Sequence, residues 1–201
     1  MRERFQEIYA TNEWKHGSGE GSLAEHNQGY IRFVESFFRE HDIRSIVDLG
    51  CGDWQFSRHI DWQGASYLGM DIVPAVIEAN RKHFSRPGVE FMLYDGNIAD
   101  IPPADLLITK DVLQHWSHTA IHALLPALQQ YRHVLVTNCV NPHGPTLNDD
   151  IPDGGFRYLD LRLAPFHLPA TEVFSFTNRR SFINRLCGRP RWLKKVLHLQ
   201  A

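Results

Sequence analysis

The segment Val47-Asp48-Leu49-Gly50-Cys51-Gly52-Asp53-Trp54 constrains this chain more than any other. An apolar, β-branched run stops at Gly-x-Gly and opens into a stretch that reads as helical. Glycines there let the backbone turn tightly and let a ligand approach with no Cβ in the way. An acid, Asp71, closes the next apolar run roughly 20 residues on, placed to accept hydrogen bonds from ribose hydroxyls. Gly-x-Gly alone is a weak signal. A strand before it and an acid in register after it point to a nucleotide site. The dinucleotide fingerprint wants a third glycine where this chain has Gln55. Asp53 also puts a carboxylate where a diphosphate needs a bare helix N-terminus. A nicotinamide-dependent reductase is therefore disfavoured. Acids at Asp48 and Asp53 suit a ligand that carries positive charge.

The surrounding pattern alternates short β-rich runs with helical stretches, as in a parallel sheet with crossover helices. Strands are expected at Ser45–Leu49, Ser66–Met70, Val89–Leu93, Leu106–Thr109 and Val134–Thr137. Helices are expected at Trp54–Ile60, Pro74–Phe84 and Thr119–Tyr131, the last divided or kinked by Pro126. Tyr30–Glu40 places Ile31, Val34, Phe37 and Phe38 at helical spacing. Thr171–Phe176 and Leu193–Leu199 read as a late pair of strands. Residues 1–44 are expected to form a lid and helical segment on a domain spanning 45–201, one domain overall. Within the lid, the loop carrying Trp14, Gly17, Ser18 and Gly19 is a candidate to close over the site.

Charge and cysteine usage narrow the setting. The chain has 201 residues with 21 Lys+Arg against 23 Asp+Glu, a net charge of −2, which does not suit a generally basic nucleic-acid binder. No apolar run approaches the roughly 18 residues of a membrane span. The start, MRERFQEIY, lacks the apolar core of a secretory leader. Cysteines at 51, 139 and 187 form no CxxC pair, and a reducing cytoplasm is the expected location. Every charged residue after Glu172 is basic, from Arg179 to Lys195, which reads as an edge strand turning Lys and Arg outward.

VDLGCGDW, LGMDI, YDGNI and ITKDVLQHW, in that order over residues 45 to 140, resemble the successive motifs of class I S-adenosylmethionine-dependent methyltransferases. The resemblance implies an α/β fold. It would be a single Rossmann-like domain with a mostly parallel seven-stranded sheet, helices on both faces and an antiparallel C-terminal edge. It implies S-adenosylmethionine as cofactor and S-adenosylhomocysteine as product. By it, Gly50 and Gly52 would lie against the methionine part, and Asp48, Cys51 and Trp54 would also bind the cofactor. Asp71 would hold the ribose, and Ile72 would pack on the adenine. Asp95, with Gly96 and Asn97, would accept from the adenine amino group. Lys110, Asp111 and Val112 would line the methionine side.

Methyl transfer from a sulfonium is an in-line displacement, for which the protein supplies alignment and a dry pocket. His115 follows the fourth strand and is the candidate base, with an intrinsic pKa suited to proton transfer near neutrality. Trp116 is a candidate wall of the acceptor pocket. Arg157, in the charged segment from Asn148 to Asp160, is a candidate clamp for a carboxylate or phosphate. The compact chain favours a small-molecule acceptor with an O or N nucleophile, acting as a monomer or homodimer. A nucleic-acid acceptor is disfavoured, because no Asp-Pro-Pro-Tyr-like motif follows the fourth strand. The alternatives are a non-catalytic S-adenosylmethionine-binding module and a nucleic-acid or protein methyltransferase. A magnesium-dependent version would use Asp111 and Asn138, but that family has an acid where this chain has Thr137, so no metal is expected.

Overall fold

Seven strands form one sheet in a computed structural model of the chain, which describes residues 1–178, 182–188 and 191–200. They are β1 (Ser45–Leu49), β2 (Ser66–Asp71), β3 (Val89–Leu93), β4 (Leu106–Lys110), β5 (His133–Val140), β6 (Thr171–Thr177) and β7 (Leu193–Gln200). Their order is β3-β2-β1-β4-β5-β7-β6, and the first five are parallel. β7 runs antiparallel to both β5 and β6. This is the mostly parallel sheet with an antiparallel end that the sequence led us to expect. The chain leaves β1 towards β2 on one side and returns to β4 on the other. Open α/β sheets bind ligands at such a reversal, beyond the carboxyl ends of the strands.

Both faces of the sheet are covered, so β4 and β5 are buried at every residue. Period-two alternation splits the core: Val47 and Leu49 pack on one side with Phe5, Ile8 and Leu124, whereas Ile46 packs on the other with Tyr30, Val34 and Phe37. The helices are α1 (Arg2–Thr11), α2 (Ala24–His41), α3 (Pro74–Phe84), α4 (His118–Leu124) and α5 (Phe182–Leu186). Pro74 occupies the first turn of α3, where its missing N–H costs nothing. Pro126 falls where α4 gives way to a 3-10 stretch, Leu125–Gln130, the division its ring imposes.

Three local expectations need correction. Trp54–Ile60 is not a helix: Trp54 sits at φ 58° and only Ser57–His59 form a single 3-10 turn. The Trp54 ring turns into the aromatic core, where Nε1–H donates to Tyr67 Oη at 2.9 Å. α1 was not anticipated, although Phe5 and Ile8 fall one turn apart and both are buried. β7 is not the sheet edge, which is β6, and Lys194 is buried rather than turned outward. Lys195 pairs with Glu172 at 2.9 Å. Arg179, Arg180 and Arg189 lie outside the described residues. Among the described residues, no helix is long and apolar enough to cross a membrane.

Candidate active site

Beyond the carboxyl ends of β1, β2 and β4 lies a partly open cavity with about 780 Å³ of empty space, some of it continuous with solvent. Its floor is the glycine turn. Gly50 and Gly52 hold φ of 80° and 55°, and the N–H groups of Gly50 and Cys51 both donate to Met70 O, at 2.7 and 3.0 Å. A Cβ on Gly50 would overlap the Val112 side chain, and one on Gly52 would overlap Ser18 Oγ. Only glycine satisfies both the backbone and the neighbours at these positions.

Two buried carboxylates flank the turn. Asp71 Oδ2 accepts from Gly52 N–H and Oδ1 from Val73 N–H, each at 3.0 Å. Asp48 Oδ2 accepts from Tyr67 Oη–H at 2.7 Å. Burial raises the pKa of each carboxyl to about 6, against the pull of its hydrogen bonds. Neither makes an ion pair within 4 Å among the described residues, so a cation entering the cavity would meet two desolvated acids.

The far wall comes from β4 and the turn after it. Lys110 Nζ lies 2.7 Å from Asp111 Oδ2, which also pairs with Lys194 Nζ. Asp111 stays ionised, its pKa lowered to about 2 by the two ammonium groups, which overcome its burial. His115 ends the 3-10 turn Leu113–His115. Its Nδ1 lies 2.6 Å from Gly155 O, and a carbonyl can only accept, so Nδ1 carries the hydrogen. Nε2 is left as an acceptor, 3.3 Å from the Gln114 side-chain amide. Burial lowers the His115 pKa, so the ring is neutral at pH 7.

The N-terminal segment forms the roof. Phe5 and Tyr9 of α1 line the cavity with Trp14, Ser18 and Ser22. Ser18 fastens this segment: its Oγ is 2.6 Å from Tyr9 Oη and accepts Asp53 N–H at 2.9 Å, and its N–H donates to Asp53 Oδ2 at 3.2 Å. The Trp14 ring centroid stands 4.7 Å from that of His115. Asp53 thus ties the roof to the glycine turn.

Of the residues singled out from the sequence, Asp48, Gly50, Cys51, Gly52, Asp71, Ile72, Lys110, Asp111, Val112, His115 and Trp116 line the cavity. Trp54 does not, because its ring belongs to the core. Asp95, Gly96 and Asn97 form an exposed turn closed by Asn97 N–H on Asp95 Oδ1 at 2.7 Å, and Tyr94 lines the cavity instead. Arg157 is buried outside the lining, with Nη2 3.3 Å from Leu113 O and no partner for Nε or Nη1 among the described residues. The segment around it is pinned at Asn148, whose Nδ2 donates to Asp160 O and Ala164 O at 2.9 and 2.8 Å, while Asp149, Asp150, Pro152 and Phe156 stay exposed. The magnesium ligand pair is not supported. Asp111 is already neutralised by two lysines, and Asn138 Oδ1 accepts Gln114 N–H at 3.2 Å.

A family model described as an O-methyltransferase domain matches residues 7–151. The chain belongs to this family. Solved structures agree on the fold of this methyltransferase, that of the class I S-adenosylmethionine-dependent enzymes. Magnesium protoporphyrin IX methyltransferase from Synechocystis PCC 6803, with bound S-adenosylhomocysteine, superimposes with a TM-score of 0.64 at 15% identity, over 98% of this chain and 96% of that one. Human N-acetylserotonin methyltransferase, in complex with S-adenosylmethionine, gives 0.56 at 20% identity, over 98% of this chain and 55% of that one. Coclaurine N-methyltransferase, bound to N-methylheliamine and S-adenosylhomocysteine, gives 0.56 at 12% identity, over 87% of this chain and 71% of that one. Comparison with curated protein sequences returns no significant match. The resemblance read from the motifs is thereby borne out at the level of family and fold.

Proposed function

We propose that this protein transfers a methyl group from S-adenosylmethionine to an oxygen nucleophile of a small molecule, with His115 as general base. The observation that carries the reading is the pairing of two buried acids, Asp48 and Asp71, neither ion-paired within 4 Å among the described residues, with a glycine turn that no Cβ can enter. A sulfonium and an ammonium group supply the missing positive charge, and the glycines leave room for them. When bound, that cofactor supplies the reactive methyl group; alignment, proton transfer and water exclusion fall to the chain.

Gly50, Cys51 and Gly52 would cradle the methionine part, and Asp71 with Ile72 would hold the ribose and adenine. Asp95, Gly96 and Asn97 would meet the adenine from the rim. His115 presents Nε2 as a proton acceptor while Gly155 O fixes the tautomer. Trp14 and Trp116 flank it and keep water away. Arg157, with two nitrogens unpartnered, would clamp an acceptor anion only if the Leu113–His115 turn shifted. The family's description supports oxygen over nitrogen as nucleophile, and a pocket narrowed by Trp14, Phe5 and Tyr9 of the N-terminal segment supports a small acceptor. Residues 1–22 act as the lid, while α2 packs on the sheet. Three free thiols, Cys51, Cys139 and Cys187, support a cytoplasmic setting.

The test is a screen of phenolic, hydroxyl and amine acceptors with radiolabelled S-adenosylmethionine, run on the wild type and on His115→Gln. Transfer to oxygen that falls about 100-fold or more in the variant, with cofactor affinity kept, supports the reading. Transfer to nitrogen, or an unaffected variant, refutes it.

A further inference from the structure

A buried amide stands against the ring nitrogen that would take the proton. Gln114 precedes His115 in the turn after β4, is 4% exposed and lies outside the cavity lining. A side chain this deep is usually apolar, and an amide there is costly unless its hydrogen bonds are made. Gln114 is held at three points. Its N–H donates to Asn138 Oδ1 at 3.2 Å, its carbonyl oxygen accepts Arg157 N–H at 3.1 Å, and its side-chain Oε1 accepts Cys139 N–H at 2.7 Å. The last bond fixes which way the amide faces. A backbone N–H can only donate, so the atom against Cys139 is the oxygen, and the atom 3.3 Å from His115 Nε2 is the nitrogen. An amide nitrogen can only donate, and His115 Nδ1 already gives its hydrogen to Gly155 O at 2.6 Å. The ring thus meets an acceptor at Nδ1 and a donor at Nε2. A second ring hydrogen would set N–H against N–H at Nε2.

We propose that Gln114 is a positioning residue for His115: together with Gly155 O it fixes the imidazole in the neutral Nδ1–H tautomer, so that Nε2 keeps a lone pair for an incoming proton. The proposal rests on the function proposed above, because it says how the chain keeps the base of that site ready. An acceptor hydroxyl that takes the place of the Gln114 N–H at Nε2 finds the ring already in the reactive form. Once protonated, the ring faces a donor it cannot bond, which favours release of that proton to solvent after transfer. The charged groups around the ring are Asp111 from β4, which favours a second proton, and Lys194 from β7 and Arg157, which oppose it. The Trp14 and Phe156 rings, with centroids 4.7 and 5.8 Å away, carry no charge. Gln114 adds what burial and distant charges do not supply, a preference expressed at one atom.

The test follows the His115 ring nitrogens in the full chain by two-bond proton–nitrogen correlation as the pH is lowered. It compares the wild type with Gln114→Glu and Gln114→Met, and His115→Gln supplies the assignment. Gln114→Glu keeps the shape of the side chain and the acceptor for Cys139 N–H, but turns an oxygen towards Nε2 in place of the N–H. The wild type should show the Nδ1–H tautomer at neutral pH and a protonation midpoint below 6.5. In Gln114→Glu the midpoint should rise by about 1–3 pH units, the range for an opposite charge in contact. Gln114→Met removes the donor without adding a charge and should raise it by less, about one unit at most. A role confined to bridging Cys139 would leave the Gln114→Glu midpoint where it was. An Nε2–H tautomer in the wild type, or a midpoint unmoved in both variants, overturns the proposal. The acid limb of kcat/KM in the same variants tests the base reading separately. A His115 midpoint that rises while the acid limb stays in place supports the role of Gln114 and removes His115 from catalysis.

Discussion

Asp71→Ala separates a residue kept for binding from one kept for stability. The substitution leaves the buried N–H groups of Gly52 and Val73 without their acceptor, both now bonded at 3.0 Å. Each orphaned donor costs about 1–3 kcal/mol. Against this, the folded chain holds the Asp71 carboxyl at a pKa of about 6 instead of 3.8. At neutral pH the ionised group therefore opposes folding by about 3 kcal/mol, which the substitution removes. The two effects offset in part, and the ligand-free variant should lose no more than about 3 kcal/mol in urea unfolding at pH 7. Cofactor affinity, by contrast, should fall about 10- to 100-fold, because the ribose acceptor is gone. The pH dependence adds a second readout. A raised folded-state pKa means that the folded chain holds more protons than the unfolded one between 3.8 and about 6. Stability from this group is thus greatest below that window and declines as pH rises through it, and the variant should lose that decline. Unfolding at pH 4 and pH 7, beside calorimetry with S-adenosylhomocysteine, covers both. Unchanged affinity, or a stability loss well beyond about 3 kcal/mol, would refute the reasoning.

Other consequences concern the base, the turn and the far end of the sheet. Because burial lowers the His115 pKa, the acid limb of kcat/KM should have its midpoint below 6.5; a midpoint above that value would remove His115 from the base role. Gly52→Ala forces a Cβ onto Ser18 Oγ at a positive φ, so it should free the lid and weaken cofactor binding at least about 10-fold. Faster proteolysis within residues 12–22 would report the freed lid, and an unchanged digest would contradict it. His133 stacks on His198 and lies tilted beside His41, and burial with these neighbours lowers its pKa to about 4 from 6.5. The unfolded chain then holds more protons, so stability present above pH 6.5 is lost as pH falls towards 4. His133→Gln should flatten that slope, and urea unfolding at pH 7 and pH 5 measures it.

What was legible in the sequence was set by backbone and strand chemistry. β1 and β3 begin and end where their apolar runs do: β1 is buried from Ile46 to Leu49, and β3, at the edge of the sheet, alternates buried Val89 and Phe91 with exposed Glu90. Gly50, Gly52 and Asp71 were legible because the turn tolerates few alternatives. Residues whose placement depends on distant packing were not. Trp54 follows the glycines in sequence, yet its ring finds a better partner in Tyr67 across the sheet. Lys194 reads as a surface charge in a basic tail. It is buried because β7 inserts between β5 and β6 and carries it to Asp111. α1 is short and charged, so its Phe5 and Ile8 give only a two-point signal. Phe5, Tyr9, Phe56 and Tyr94 reach the cavity from four separate segments, and no local spacing connects them.

The central claim is that this cavity holds an S-adenosyl ligand. Calorimetric titration of the wild-type chain with S-adenosylhomocysteine, with NADH as control, tests it most directly. The account predicts micromolar binding of S-adenosylhomocysteine and none of NADH, with affinity rising between pH 5 and 7 as Asp48 and Asp71 ionise near pH 6. Binding of NADH alone, or of neither ligand, would contradict it.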